Sequence, residues 1–300
     1  WLHSRADGKI LFISEPHEHP ICGKTDCTET GHGNAIFSAL NTAVLGKTAN
    51  GYNIPEGNWY LTENLSLDAP LCITGNSRLC LNGYSITATA AVDAIVLANG
   101  SALTLCDCRQ DGKVTEYGAI THASGVNGRG IYISNGSFTM YGGKICSNTL
   151  SGDDSKGAGV YVETSTSYFN MYGGTVSDNS LSGNNIKGAG ICTYGTTTIG
   201  GNAVICRNRM NKTAGAGTEY GKDGGGIFTG GTLTVEGDAQ IINNQTSETA
   251  GEVIPNSHGG GIYVSGSNAV VVLRENAQVK YNQVGSYGAG ICVDSDAKLS

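Results

Sequence analysis

The chain has 300 residues, of which 46 are glycine, 39% are hydrophobic and 14% are charged, and its net charge is −7. The hydrophobic share excludes a disordered chain, because it provides apolar surface to bury. The acidic balance argues against nucleic-acid binding, since phosphates attract a basic surface, and no apolar run reaches the roughly 18 residues of a membrane span. Many glycines and few charges are typical of sheet proteins with many tight turns.

Residues 1–33 form a segment rich in histidine and cysteine. Counted from His19, the spacing reads H-x2-C-x4-C-x4-H and names four candidate ligands: His19, Cys22, Cys27 and His32. Two thiolates and two imidazoles make a closed tetrahedral set suited to structural Zn²⁺. A Cys22–Cys27 disulfide and a loop of solvated side chains stay open as alternatives. The segment lacks the basic and stacking residues with which knuckles bind nucleic acid.

Residues 34–46 are predicted to form a short helix that begins the main domain, residues 34–300. Asn34 would cap it, Ile36, Phe37, Leu40 and Val44 would share one side, and Gly46 would end it. The open end of a sheet invites pairing with another chain, so we expect this helix to cover the first coil.

The sequence of residues 58–127 predicts the first coils of a β-helix, which are less regular than the later ones. Four strand-like segments follow one another between Gly, Asn and Pro residues: NWYLTENLSL (58–67), RLCLNGYSI (78–86), DAIVLANG (93–100) and ALTLCDC (102–108).

Residues 128–300 contain a regular repeat. Gly-x-Gly followed by an apolar triplet recurs at Gly128, Gly157, Gly188, Gly224, Gly259 and Gly288. Two further short strands follow in each repeat, and all three show period-2 alternation. A constant pattern with a variable period indicates one coil per repeat. We therefore predict an all-β fold, a right-handed parallel β-helix with three strands per coil, and expect its last coil to be truncated at Ser300.

One asparagine follows the third strand at the same offset in five repeats: Asn148, Asn179, Asn208, Asn244 and Asn282. Stacked coils would place these side chains in a column with a spacing of about 4.8 Å, where their amides hydrogen-bond along the ladder. Asparagine also tolerates the left-handed conformation of a sharp corner.

The middle residue of the first strand should point outward. In four repeats it is aromatic, and these rings are candidate glycan-binding residues: Tyr132, Tyr161, Phe228 and Tyr263. The alternative is that neighbouring loops cover the rings, which then only stabilise the coil.

Two long loops, 209–223 and 245–258, carry the candidate catalytic residues Glu219, Asp223, Glu248, Glu252 and His258. Carboxylates on neighbouring coils would lie about 5 Å apart, near the separation that retaining glycosidases use. Solvated loop acids are the simpler interpretation.

Several strings taken together resemble a large family: HEHPICGKTDC (17–27), NWYLTENLSL (58–67), LCLNGYSI (79–86), LTLCDC (103–108) and the NMYGG coils. The family comprises right-handed β-helix surface and secreted proteins of gut-type Gram-positive anaerobes, within the pectate-lyase-like superfamily. The resemblance implies export and surface display, and it implies no single reaction.

These observations lead us to expect a monomeric module outside the cell or in the cell wall, and a piece of a longer protein. Adhesion or glycan binding is the main hypothesis, with a host or cell-surface polysaccharide as partner. A carbohydrate-active enzyme and a structural spacer are the alternatives.

Overall fold

The computed structural model describes residues 2–4, 10–12, 16–24, 27–108, 116–211, 221–247 and 256–300. These residues form strands and turns, with no helix among them, and so none with the length and apolar character of a membrane crossing. The first strands are β1 (Leu2–Ser4), β2 (Ile10–Phe12), β3 (His17–Pro20), β4 (Asn34–Leu40), β5 (Gly46–Thr48) and β6 (Gly51–Ile54).

Eight strands make up the region that the sequence predicts as irregular coils: β7 (Gly57–Leu61), β8 (Leu65–Leu67), β9 (Leu71–Ile73), β10 (Asn76–Cys80), β11 (Ile86–Ala88), β12 (Ile95–Leu97), β13 (Ser101–Cys106) and β14 (Ala119–His122).

The regular repeats begin with β15 (Ile131–Ile133), β16 (Gly136–Met140), β17 (Lys144–Cys146), β18 (Thr149–Ser151), β19 (Val160–Val162), β20 (Tyr168–Met171), β21 (Thr175–Ser177), β22 (Ser180–Ser182), β23 (Ile186–Lys187), β24 (Ile191–Thr193) and β25 (Thr196–Ile199). They continue with β26 (Val204–Cys206), β27 (Arg209–Asn211), β28 (Lys222–Asp223), β29 (Ile227–Thr229), β30 (Thr232–Val235), β31 (Gln240–Ile242), β32 (Ile262–Val264), β33 (Val270–Leu273), β34 (Gln278–Lys280), β35 (Ile291–Val293) and β36 (Lys298–Leu299).

Three long sheets run the length of the molecule, and the chain visits them in turn. Sheet A has the order β3-β4-β7-β10-β13-β16-β20-β25-β30-β33-β36, sheet B the order β8-β11-β14-β17-β21-β26-β31-β34, and sheet C the order β5-β6-β9-β12-β15-β19-β24-β29-β32-β35. From β7 onward every pairing in these sheets is parallel. One circuit through the three sheets is one coil, so the predicted solenoid of stacked parallel strands, three to a coil, is confirmed.

The space between the three sheets is the hydrophobic core. Ile131, Val160, Ile191, Ile227 and Ile262 pair in register along sheet C and are fully buried. On sheet A, Phe138 and Phe169 stack with ring centroids 5.2 Å apart. Burial of each such side chain contributes roughly 1.5–3 kcal/mol. The period-2 alternation in sequence therefore identifies the inward face.

The two glycines of each Gly-x-Gly have different tasks. The first has φ between 61° and 76° at Gly157, Gly188, Gly224, Gly259 and Gly288, a left-handed conformation that glycine adopts without strain. The second is needed for space. A Cβ on Gly159 would lie 2.5 Å from the carbonyl oxygen of Gly190 and 2.9 Å from Nδ2 of Asn179.

The predicted asparagine ladder is confirmed. Nδ2 of Asn148 donates to Oδ1 of Asn179 at 2.9 Å, and the same bond recurs along the column at 2.9–3.0 Å. Each Nδ2 also donates to a carbonyl of the preceding coil, such as Ile145 O for Asn179 at 3.0 Å. At the N-terminal end of the column, His122 Nδ1 lies 2.7 Å from Asn148 Oδ1.

The predicted capping helix over 34–46 is wrong, because Asn34–Leu40 is strand β4. It pairs antiparallel with β3, and its last three residues pair parallel with β7. The edge of β7 offers unpaired N–H and C=O groups, which a strand satisfies and a helix does not. Alternation then buries Phe37 and leaves Ile36 61% exposed, whereas the helix would have placed them on one side.

Candidate functional site

The N-terminal hairpin is joined to the edge of sheet A through the end of β4, and it folds over the outer face of the next strands of that sheet. We call residues 16–24 and 27–37 the strap. It covers a column of outward side chains that adjacent coils place in line: Tyr60, Cys80, Cys106 and Tyr141. His17 stacks on Tyr60 with centroids 3.9 Å apart, and Phe37 belongs to the same apolar cluster. A Cβ on Gly23 would lie 3.2 Å from the backbone nitrogen of Asp107, which shows how closely the strap approaches the coils.

Two groups of metal-binding side chains occur where the strap meets the coils. One consists of His17, His19, Cys80 and Cys108, and the other of Cys22, Cys27 and His32. The ligand atoms of each group lie within 4.8 Å of one another. The structure therefore brings together three of the four ligands predicted from sequence and places His19 in the other group.

The three-residue group lies at the outer end of the strap. Cys27 Sγ is 3.3 Å from His32 Nδ1, and His32 Nε2 is 3.0 Å from the hydroxyl of Tyr141. Burial raises the pKa of the Cys22 thiol, and the nearby Cys27 adds to this, while the backbone at Lys24 opposes it. All ten cysteines fall within the described residues and are free thiols, Cys22 and Cys27 among them.

The four-residue group is more deeply buried. Cys80 Sγ lies 3.1 Å from Cys108 Sγ, and Cys108 Sγ lies 3.3 Å from His17 Nε2. Burial raises the pKa of Cys80, and the contact with Cys80 together with burial raises the pKa of Cys108 to about 11. Both side chains are therefore thiols at neutral pH as long as no cation is bound.

A groove separates the strap from the coils beyond it. The strap contributes Cys22, Lys24, Glu29 and His32, and four successive coils contribute the opposite side: Asp107, Tyr117, Tyr141, Lys144, Tyr172, Thr175, Gly201, Asn202 and Val204. The rings of Tyr141 and Tyr172 stack with centroids 5.7 Å apart. Tyr117 is 48% exposed and Tyr172 37% exposed. The groove thus combines partly exposed aromatic rings with amide, hydroxyl and ammonium groups.

The predicted glycan-binding column on sheet C points away from the core and yet is largely covered. Tyr161, Phe228 and Tyr263 are only 8%, 2% and 9% exposed, and Tyr132 is half-buried. Burial raises the pKa of Tyr161 to about 12. The rings point outward as predicted, and the alternative left open by the sequence, that neighbouring side chains cover them, holds for three of the four. Their binding of a glycan stays a prediction.

A second column of side chains covers these aromatic rings. Backbone pairing aligns one residue from each of five coils: Lys156, Lys187, Asp223, His258 and Tyr287. Lys187 Nζ lies 4.7 Å from the ring centroid of Phe228, and His258 stacks on Tyr263 at 5.0 Å. Cations over ring faces are attracted by the aromatic quadrupole, so this column stabilises the aromatic cluster.

Of the candidate catalytic residues, the structure brings together Asp223 and His258. His258 Nδ1 lies 2.8 Å from Asp223 Oδ1. Burial raises the pKa of the Asp223 carboxyl, while His258 works against that rise. Such a carboxylate orients an imidazole for acid–base work. Glu219, Glu248 and Glu252 lie outside the described residues.

Sequence reasoning missed His17, Cys80 and Cys108. One signal was present, because His17 and His19 are two residues apart and two such residues on a strand share a face. Cys80 and Cys108 are more than 60 residues from His17 along the chain, and only the stacking of coils brings them to the strap. The groove could be predicted only in part. Tyr141 and Tyr172 recur at the same position of successive repeats, but the strap beside them is not part of the repeat.

Comparison with known proteins found no matching family model, no matching curated protein and no matching solved structure.

Proposed function

We propose that the chain is a right-handed parallel β-helix module that lies outside the cell or in its wall and binds a glycan in the groove beside the strap. The proposed handedness follows the strong preference of parallel strand connections. The observation that carries the binding proposal is the stacked pair of Tyr141 and Tyr172 in this groove, which Tyr117 also lines. The proposal moves glycan contact from the covered column on sheet C to the tyrosines that the structure leaves accessible.

The dimensions and chemistry of the groove support a linear saccharide. Four coils at about 4.8 Å each give a length of roughly 14 Å from the first to the fourth. Sugar rings present apolar faces to aromatic side chains and hydroxyl groups to polar ones. Tyr141 and Tyr172 provide the first, and Lys24, Lys144 and Asn202 provide the second.

Structural zinc in the strap belongs to the same proposal. Cys22, Cys27 and His32 form part of the strap beside the groove, and Zn²⁺ bound there would stiffen this wall. A stiff wall reduces the entropy lost when a ligand binds.

The test is a glycan array with the wild-type chain and Tyr172→Ala. Loss of the exposed ring should weaken binding about tenfold, which corresponds to about 1.4 kcal/mol. Tyr281→Ala is the matched control, because Tyr281 is 71% exposed and does not line the groove. Equal binding by all three proteins would refute the groove, and no binding to any glycan would favour a spacer.

A second candidate function rests on the pair of Asp223 and His258 at 2.8 Å. A carbohydrate-active enzyme would use this pair for proton transfer. Release of reducing sugar from a polysaccharide by the wild-type chain, abolished in His258→Ala, would replace the binding proposal with this one.

A further inference from the structure

His17, His19, Cys80 and Cys108 come from three separate parts of the chain and meet under the strap. The two histidines are on β3, Cys80 is the last residue of β10, and Cys108 follows β13 by two residues. Their four ligand atoms lie within 4.8 Å of one another. Two imidazoles and two thiols are a complete ligand set for a closed tetrahedral zinc site.

His19 provides the most direct sign of a metal site. Its Nδ1 lies 2.7 Å from the carbonyl oxygen of Pro20. A carbonyl oxygen can only accept a hydrogen bond, so Nδ1 carries the proton. In the neutral ring, Nε2 then has a free lone pair. The side chain is 2% exposed, and Nε2 has no hydrogen bond of good geometry among the described residues, although the Cys108 thiol lies within 4.8 Å of it and interacts with the ring. A buried lone pair without a donor is unfavourable, and a metal ion would satisfy it.

The distances suit Zn²⁺. Bond lengths of about 2.3 Å to sulfur and about 2.0 Å to nitrogen imply edges of about 3.8 Å between two sulfurs and about 3.5 Å between sulfur and nitrogen in a tetrahedron. The observed Sγ–Sγ distance is 3.1 Å, the Sγ–Nε2 distance to His17 is 3.3 Å, and no ligand pair exceeds 4.8 Å. Small side-chain rotations would reach the ideal values.

The surroundings hold both imidazoles in place. His17 is parallel to the ring of Tyr60, with an interplanar angle of 3°, and His19 stacks on Phe37 with centroids 4.3 Å apart. The Pro20 carbonyl selects the tautomer of His19 that presents Nε2. Such contacts behind the ligands are usual in metal sites, where they orient the imidazole.

We propose that His17, His19, Cys80 and Cys108 bind one Zn²⁺ ion, which ties the strap to two successive coils. On binding, each thiol releases its proton to solvent, and two thiolates balance the charge of the ion. The site differs from the zinc set predicted from sequence and stands independently of the glycan proposal. A disulfide between Cys80 and Cys108 is the competing chemistry, and it would transfer two electrons to an external oxidant.

The experiment uses Co²⁺ as a spectroscopic probe in the reduced Cys22→Ser/Cys27→Ser chain, which removes the thiols of the other group. We expect one equivalent of Co²⁺ to bind, with sulfur-to-metal charge transfer and the intense visible bands of a tetrahedral ion. Zn²⁺ should displace it. Additional Cys80→Ser and Cys108→Ser changes should abolish the charge-transfer band and the visible bands. An additional Cys146→Ser change, outside the site, should preserve both.

Three results would overturn the proposal. The first is the absence of Co²⁺ binding in the reduced Cys22→Ser/Cys27→Ser chain while its circular dichroism matches the wild type. The second is an unchanged spectrum after the Cys80→Ser and Cys108→Ser changes. The third is a cross-linked Cys80–Cys108 peptide, lighter by two hydrogens, in wild-type protein prepared without reductant. The spectrum of the wild-type chain provides a reading that needs no variant to fold.

Discussion

At the scale of single residues, two aspartates show how surroundings decide the behaviour of one side-chain type. Burial raises the pKa of Asp223, with His258 in partial opposition. Burial also acts to raise the pKa of Asp178, but the Arg207 guanidinium, whose nitrogens lie 2.8 Å from both carboxylate oxygens, outweighs it and holds that pKa below its ordinary value. The two carboxyl groups should therefore affect stability in opposite directions as pH changes.

We expect Asp223→Asn and Asp178→Asn to diverge as pH rises. Stability from the protonated Asp223 is present below its unfolded pKa of about 3.9 and is lost as pH rises through its higher folded pKa. Asp223→Asn should therefore match the wild type near pH 3 and have a larger free energy of unfolding at pH 7. Stability from ionised Asp178 is lost as pH falls, so Asp178→Asn should be less stable at pH 7 and approach the wild type in acid.

Urea denaturation of the three proteins between about pH 3 and pH 7 measures both effects. Differences from the wild type that change in the same direction with pH in both variants would contradict the assignment of these two environments.

At the scale of elements, the asparagine ladder binds each coil to the next. Asn208 accepts hydrogen bonds from the backbone nitrogen and Nδ2 of Asn179, and its own Nδ2 donates to Asn244 Oδ1 and Val176 O. All of these side-chain groups are buried, so none can turn to water when a partner is lost. The second glycine of each repeat keeps space for this amide, which explains why the Gly-x-Gly and the asparagine recur together.

Asn208→Ala should lower the free energy of unfolding by roughly 2–4 kcal/mol, because it leaves several buried donors and acceptors unpaired. Asn276→Ala is the control; its amide bonds to Asp238 at the exposed surface, and we expect a change within about 0.5 kcal/mol. The measurement is the urea midpoint of each protein. Equal midpoints would mean that the ladder contributes little beyond main-chain pairing.

At the scale of the whole molecule, the strap crosses several coils on the outside of sheet A. A coil contacts mainly its two neighbours, so stability in a solenoid is local. His17 of the strap contacts Tyr60, and His32 of the strap contacts Tyr141. Tyr60 and Tyr141 belong to separate coils of sheet A. A metal ion at His17, His19, Cys80 and Cys108 would convert this packing contact into a firm attachment.

Removal of metal should open the strap without unfolding the coils. Lys24 is exposed on the strap, and trypsin should cleave after Lys24 faster when a chelator is present. The rate should rise about tenfold for each 1.4 kcal/mol that the metal contributes to holding the strap on the coils. Circular dichroism should stay unchanged. In Cys80→Ser/Cys108→Ser the chelator should have less effect, and an equal chelator effect in both proteins would assign the closure to the other group.

The sequence by itself determined the repeat, the parallel three-strand coil, the inward residues and the asparagine ladder. These features depend on contacts between equal positions of successive repeats, so a periodic pattern reveals them. Asn148, Asn179 and Asn208 could be aligned without coordinates because their spacing follows the coil.

Only the tertiary structure decided how non-repeating parts meet the repeat. Asn34–Leu40 became a strand because the edge of β7 offered hydrogen bonds that local helix signals do not register. His19 groups with Cys80 and Cys108 and not with its predicted partners, because the strap places it beside these two cysteines, which are more than 50 residues away in sequence. Contacts between segments that are distant in sequence and follow no period leave no trace in local spacing.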